Sequence, residues 1–196
     1  MFIIGLGHYS RVGKDSFANY LVQFGYDFGF KIAKKSFASK LKAIAHDLYG
    51  WAGLQNEAYY NDPTHEHERD VVLPALGMTP VDIWVKLGTP AIREQVYDRT
   101  WIDYLLKTDH GLDILVIPDV RFPNEVEAIR EQNGLLIKVV RDGYGPRNTV
   151  ADLALNDYTG WGATIGRGGL PELKQGAFTL IRKLTNDYLP TLRNDL

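Results

Sequence analysis

No cysteine occurs among the 196 residues. That excludes disulfides, thiolate metal centres and thiol nucleophiles together, and it fits a reducing cytoplasm. Positive charge is not in excess either: 22 Lys and Arg stand against 24 Asp and Glu, for a formal net charge of -2. Such a chain sets up no global basic field to draw in nucleic acid, so an anionic ligand has to be held by a few placed cations. Long apolar runs are missing too. The stretch Phe2-Ile-Ile-Gly-Leu-Gly7 is far too short to cross a bilayer, and it lacks the basic start and cleavage site of a signal peptide. Repeats, low-complexity tracts and linkers are also absent. The expectation is a cytoplasmic protein of small-molecule ligands, with no nucleic-acid or membrane partner and with homodimerisation left open.

What is present suffices for one sizeable core, since 45% of residues are hydrophobic and 23% charged. Phe2 to Gly7 reads as a buried strand of parallel type, and Lys14 to Phe24 follows with Phe17, Ala18, Leu21 and Val22 at helical spacing. Ser39, a candidate N-cap, opens a second helix through Leu41, Ile44, Ala45 and Leu48 that stops at Gly50. Gln55 to Asp70 is polar and patternless, and is expected to be a mobile surface segment able to close over a ligand. Pro80 to Leu87 and Thr100 to Lys107 read as helices, the latter with Ile102, Leu105 and Leu106 on one face. Ile114 to Pro118 is a second buried strand. Pro123 then opens a helix at N1 that runs through Asn124 to Gln132, and Leu135 to Val140 is a third strand. The turn-rich Gly160 to Gly169 precedes a last amphipathic helix from Pro171 to Leu184. Strands alternating with helices predict an α/β fold with a largely parallel sheet.

Between the first strand and first helix lies His8-Tyr-Ser-Arg-Val-Gly-Lys-Asp-Ser16. It departs from the phosphate-loop pattern GxxxxGK[ST]: His8 replaces the first glycine, and Asp15 stands where a hydroxyl is expected, one place before Ser16. The mechanics survive. Amides of a tight turn and a helix N-terminus can cradle phosphate, the Lys14 ammonium can reach it, and Asp15 or Ser16 can hold Mg²⁺. The bland alternative is a Gly-Lys turn capped by Asp or Ser. A second candidate is Asp119-Val-Arg121 at the carboxyl end of a buried strand, the edge where open α/β sheets bind ligands. There a carboxylate can orient a ligand and an arginine can pair with phosphate, or the two can simply cap a helix and pair with each other. Arg11, Lys42, Arg69, Arg93 and Arg99 are further cations that fall in loops or near helix ends. His65 and His67 alternate with Glu66 and Glu68. Alternate residues share a face only in a strand, so this segment is not read as a metal site.

Taken together, Arg11-Val-Gly-Lys-Asp-Ser16, Phe37-Ala-Ser-Lys-Leu-Lys42, Leu87-Gly-Thr89 with Asp98-Arg-Thr-Trp101, and Ile117-Pro-Asp-Val-Arg-Phe-Pro-Asn-Glu125 resemble the deoxynucleoside monophosphate kinases of tailed bacteriophages. The resemblance implies a P-loop nucleotide-kinase fold, with a mostly parallel central sheet flanked by helices and a mobile lid or substrate-binding segment. It implies one domain over 1–196 with a helical insertion over about 50–110. It also implies that Arg11, Gly13, Lys14, Asp15 and Ser16 handle ATP with Mg²⁺, that Lys42, Arg69, Trp101, Asp119, Arg121 and Glu125 surround the acceptor nucleotide, and that Lys14, Arg11, Asp119 and Arg121 carry the catalysis. The loop alone is shared with other small-molecule kinases, phosphomevalonate kinases among them. A nonenzymatic nucleotide-binding protein is the remaining rival.

Overall fold

The computed structural model describes residues 1–108, 110–146 and 150–192. In chain order the elements are β1 (Phe2–Gly7), α1 (Lys14–Asp27), β2 (Ile32–Lys34), α2 (Ser39–Tyr49), α3 (Glu57–Asn61), α4 (Pro80–Lys86) and α5 (Thr100–Leu106). They continue with β3 (Ile114–Val120), α6 (Pro123–Glu131), β4 (Leu135–Val139), α7 (Val150–Leu153), β5 (Ala163–Ile165) and α8 (Gly169–Leu192). All strand pairings are parallel, in the order β2-β3-β1-β4-β5. This is the expected α/β architecture of a P-loop nucleotide kinase. Among the described residues no helix is long and apolar enough to cross a membrane.

The chain divides into two compact units, Met1–Ser36 with Asp109–Leu196, and Phe37–Thr108. The first holds the sheet. β1, buried on both faces, sits between β3 and β4 with Ile3, Ile4 and Leu6 almost fully enclosed, as a central parallel strand covered by helices should be. α1 lays Phe17, Ala18 and Leu21 on the sheet, and α8 adds Leu173, Ala177 and Ile181 to the same core. Phe24 and Phe178 meet edge to face at 5.5 Å between ring centroids. The second unit has its own small core of Ala45, Leu54, Tyr60 and Ile83. There α4 is started by Thr79, which forms a capping box with Asp82, and by Pro80 at N1.

Two expectations need correcting, and two short strands add to the reading. Ser39 is the first helical residue of α2, not its cap; Ala38 stands in the cap position and makes no side-chain bond. Gln55 to Asp70 is not without structure: Asn56 accepts the Tyr59 amide to start α3, Tyr60 is buried, and a 3-10 turn spans Glu66–Asp70. Ile32–Lys34 is a strand that went unread. The turn-rich stretch Gly160 to Gly169 contains β5, an edge strand of three residues.

One irregularity matters for the site. Along the β1–β3 ladder Gly5 pairs with Ile117 and Gly7 with Val120, so Pro118 and Asp119 together oppose Leu6. This bulge accommodates a proline that cannot donate to a ladder, and it re-aims Asp119 at the carboxyl edge of the sheet.

Candidate active site

The first unit gathers the phosphate loop and the Asp119–Arg121 segment at the carboxyl ends of β1 and β3. Both positions that the phosphate-loop pattern reserves for glycine are left-handed, His8 at φ 96° and Gly13 at φ 100°. Arg11 is left-handed as well, at φ 60°. The loop therefore has the backbone that the pattern requires, although residue 8 carries a side chain and holds that φ under strain. At Gly13 a side chain would be strained twice over, since a Cβ would also come within 2.9 Å of Leu173. No side chain caps the N-terminus of the 14-residue α1, which leaves its first amides for an anion.

Lys14 opens that helix. It is only 6% exposed, and its ammonium donates to the carbonyls of His8, at 3.2 Å, and Tyr9. Burial lowers its pKa from 10.5 to about 8; the Arg121 guanidinium pushes the same way, while Asp15, Asp152 and Asp119 oppose. His8 stacks on Tyr9 at 3.7 Å, and its Nδ1 is buried with no partner among the described residues. Burial, then Lys138 and Lys14, hold its pKa down at about 4, so it is neutral at pH 7.

These two groups give stability slopes of the same sign in two separate pH windows. The unfolded chain keeps the lysine proton up to 10.5 whereas the fold releases it near 8, so folding is strengthened as pH rises through that window. The unfolded histidine takes a proton near 6.5 that the fold resists down to about 4, so stability is lost as pH falls between those values. Urea titrations across both windows should show the two slopes. Lys14→Met should abolish the alkaline one and His8→Gly the acidic one. Slopes that survive these substitutions would assign them to other groups.

Around the loop the polar contacts are continuous. Arg121 Nη1 donates to Asp152 at 2.6 Å and to Ser10 Oγ at 3.3 Å, and Ser10 Oγ donates to Asp152 at 3.1 Å. Glu125, buried in the first turn of α6, accepts the amides of Arg121 at 2.7 Å and Phe122 at 3.0 Å. It thereby fixes the turn that carries the arginine. Asp119 accepts the hydroxyl of Ser36. Asp15 is exposed and pairs with Lys34 at 3.3 Å, with Ser16 beside it. Among the described residues no cluster of three or more His, Asp or Glu offers a ready-made metal cage. A Mg²⁺ carried in largely by phosphate oxygens and water needs only one or two protein oxygens, which Asp15 and Ser16 can supply.

In the second unit Lys42 donates to Glu57 at 2.7 Å and lies 5.3 Å from the Trp84 ring. Arg69 donates to the carbonyl of Tyr60 at 2.7 Å, and its Nε is buried without a partner among the described residues. Trp101 is 9% exposed and its indole N–H donates to the carbonyl of Gly88 at 3.1 Å. It is used for packing here, with little ring face left for a base. A cavity of about 440 Å³ lies between α2 and α3, lined by Ser39, His46, Asp47, Asn56 and Asn61 among others.

The structure thus brings Lys14, Asp119, Arg121 and Glu125 into one unit with the loop, and holds Lys42, Arg69 and Trp101 in the other. Asp152, Ser10 and Ser36 take part in the site's bonding and were not singled out as site residues. Asp152 lies 142 residues after its serine partner, so nothing local in the sequence ties the two together. Among known proteins, one from Acanthamoeba polyphaga mimivirus, provisionally named a deoxynucleotide monophosphate kinase, is 31% identical over 164 residues, which cover 76% of this chain and 79% of the relative. No protein-family model matches the chain.

Proposed function

Because the chain belongs to the deoxynucleotide monophosphate kinase family, we propose that it transfers the γ-phosphoryl group of ATP to a deoxynucleoside 5′-monophosphate, yielding the diphosphate and ADP for DNA precursor supply. The observation that carries this reading is the loop His8 to Ser16, left-handed at both glycine positions, with the buried cation of Lys14 behind it at the start of a helix. The matched relative is viral, which supports a viral gene without singling out a phage.

Phosphoryl transfer asks little covalent chemistry of a protein; positioning and charge neutralisation do most of the work. The loop amides and Lys14 hold the triphosphate, with Arg11 at the exposed rim. Asp15 and Ser16 would hold Mg²⁺, which when bound neutralises charge on the phosphates. Arg121 pairs with the acceptor phosphate in the planar fork that guanidinium favours; Lys42 and Arg69 of the second unit are the further acceptor cations that the sequence resemblance implies. The acceptor phosphate is already an anion at neutral pH, so no general base is needed and Asp119 orients. Exchange of the present partners of Lys42 and Arg69, Glu57 and the Tyr60 carbonyl, for phosphate is the local rearrangement this requires.

The test is a substrate panel with MgATP: dAMP, dCMP, dGMP, dTMP, their ribose counterparts and phosphomevalonate, following ADP release and product identity. At least one dNMP is expected to be turned over and phosphomevalonate not, with discrimination on the order of 10⁴ in kcat/KM, since polar groups built for a base edge are left unpaired without one. ATP binding with every dNMP inert would overturn the reading.

A further inference from the structure

We infer that Asp152 is a positioning residue for phosphoryl transfer, locking the phosphate loop and Arg121 into one arrangement; this rests on the kinase reading above. Its side chain is 2% exposed, and the Arg121 side chain that it holds is 28% exposed. A carboxylate taken out of water is stabilised only by close partners, and here it has two that matter to the site: Arg121 Nη1 at 2.6 Å and Ser10 Oγ at 3.1 Å. Ser10 in turn accepts from the same guanidinium nitrogen at 3.3 Å. One acid therefore ties the loop after β1 to the turn after β3.

The geometry of the grip is selective. Among the described residues the guanidinium makes its contacts through Nη1. Its Nε and Nη2, the pair that makes a two-pronged bond to a phosphate, engage nothing among the described residues. Asp152 thus anchors one end of the fork and leaves the other for an anion. A second tether reinforces the first: one helical turn on, Asn156 accepts the Tyr9 hydroxyl at 2.9 Å. α7 and the turn after it so hold the loop at two consecutive residues, Ser10 and Tyr9.

The experiment is a double-mutant cycle of Asp152→Asn and Arg121→Ala in the full chain, with two readouts. Steady-state kinetics with MgATP and the best dNMP should show Asp152→Asn lowering kcat/KM by about tenfold to a hundredfold, the cost of a misplaced group. The acceptor KM should rise more than the ATP KM. In the Arg121→Ala background the same substitution should cost almost nothing further, because its route of action is gone. Additive losses, or equal losses for ATP and acceptor, overturn the inference. The second readout, hydrogen exchange of the amides of residues 8–13, does not depend on turnover. Faster exchange in Asp152→Asn supports the lock and unchanged exchange refutes it. A wild type inert toward every dNMP would sink the kinase reading, and the exchange result would then decide on Asp152 by itself.

Discussion

Lys14→Met is expected to lower kcat by about 10²–10³-fold while raising the unfolding temperature of the nucleotide-free protein. Both effects come from one buried ammonium. Its pKa near 8 means that, without an anion, the fold works against the charge that it keeps. A depression of this size corresponds to at most about 3 kcal/mol at pH 7. Methionine has nearly the same length and no charge, so it removes that cost. It also gives up the bonds to the carbonyls of His8 and Tyr9, leaving a net gain of about 1–2 kcal/mol, or a few degrees. In the transition state the balance reverses. Charge spreads over the transferring group, and a preorganised cation in a site of low dielectric is worth far more there than in water. A variant that is both less stable and still active, keeping more than about a tenth of wild-type kcat, would make Lys14 a structural residue.

The second large effect is expected at Glu125. Its carboxylate accepts two backbone amides, those of Arg121 and Phe122, in a nearly buried position. Glu125→Ala leaves both donors without that acceptor and should cost about 2–4 kcal/mol of stability. It should also reduce kcat/KM, because the turn that presents Arg121 loses its anchor. Glu125→Gln keeps an acceptor oxygen of the same reach and should recover about half of both losses. The check is a urea unfolding midpoint at unchanged m-value, set beside kinetics for the three proteins. If alanine proves as stable as the wild type, the carboxylate is not what holds the turn, and contact with the acceptor becomes its better explanation.

The parts of the fold that could be read were those whose physics is local. Phe2 to Gly7 is continuously apolar because the strand is covered on both faces, and Gly13-Lys14 follows it directly. Helices α1, α4, α5 and α6 announce themselves by spacing or by proline at N1. β2 and β5 stayed hidden because three residues cannot display a period, and β5 is a partly exposed edge with no apolar signature. Polarity misled at Gln55 to Asp70, where a single cap, Asn56, and a single buried ring, Tyr60, suffice for a turn of helix. At the site, the residue types of Lys14, Asp119 and Arg121 were legible. Their partners were not, since Ser36 reaches Asp119 over 83 residues and Asp152 reaches Ser10 over 142. The role of Glu125 as a brace for the turn needed the backbone to be seen. His8 illustrates a different gap: the sequence showed a missing glycine, while the chain adopts the glycine conformation with a histidine all the same.

The order in which the chain is made gives the split into two units a further meaning. β1 emerges early, but its neighbours in the sheet, β3 and β4, begin only at Ile114 and Leu135. For more than a hundred residues of synthesis the central strand of the sheet has no edge to pair with. Phe37–Thr108, by contrast, is continuous in sequence and carries its own core of Ala45, Leu54, Tyr60 and Ile83. On the ribosome that unit can therefore close upon itself while β1, the most apolar stretch of the chain's beginning, is still exposed. The nascent chain is most open to aggregation in that interval, and a chaperone that shields extended apolar segments has its target in the first seven residues.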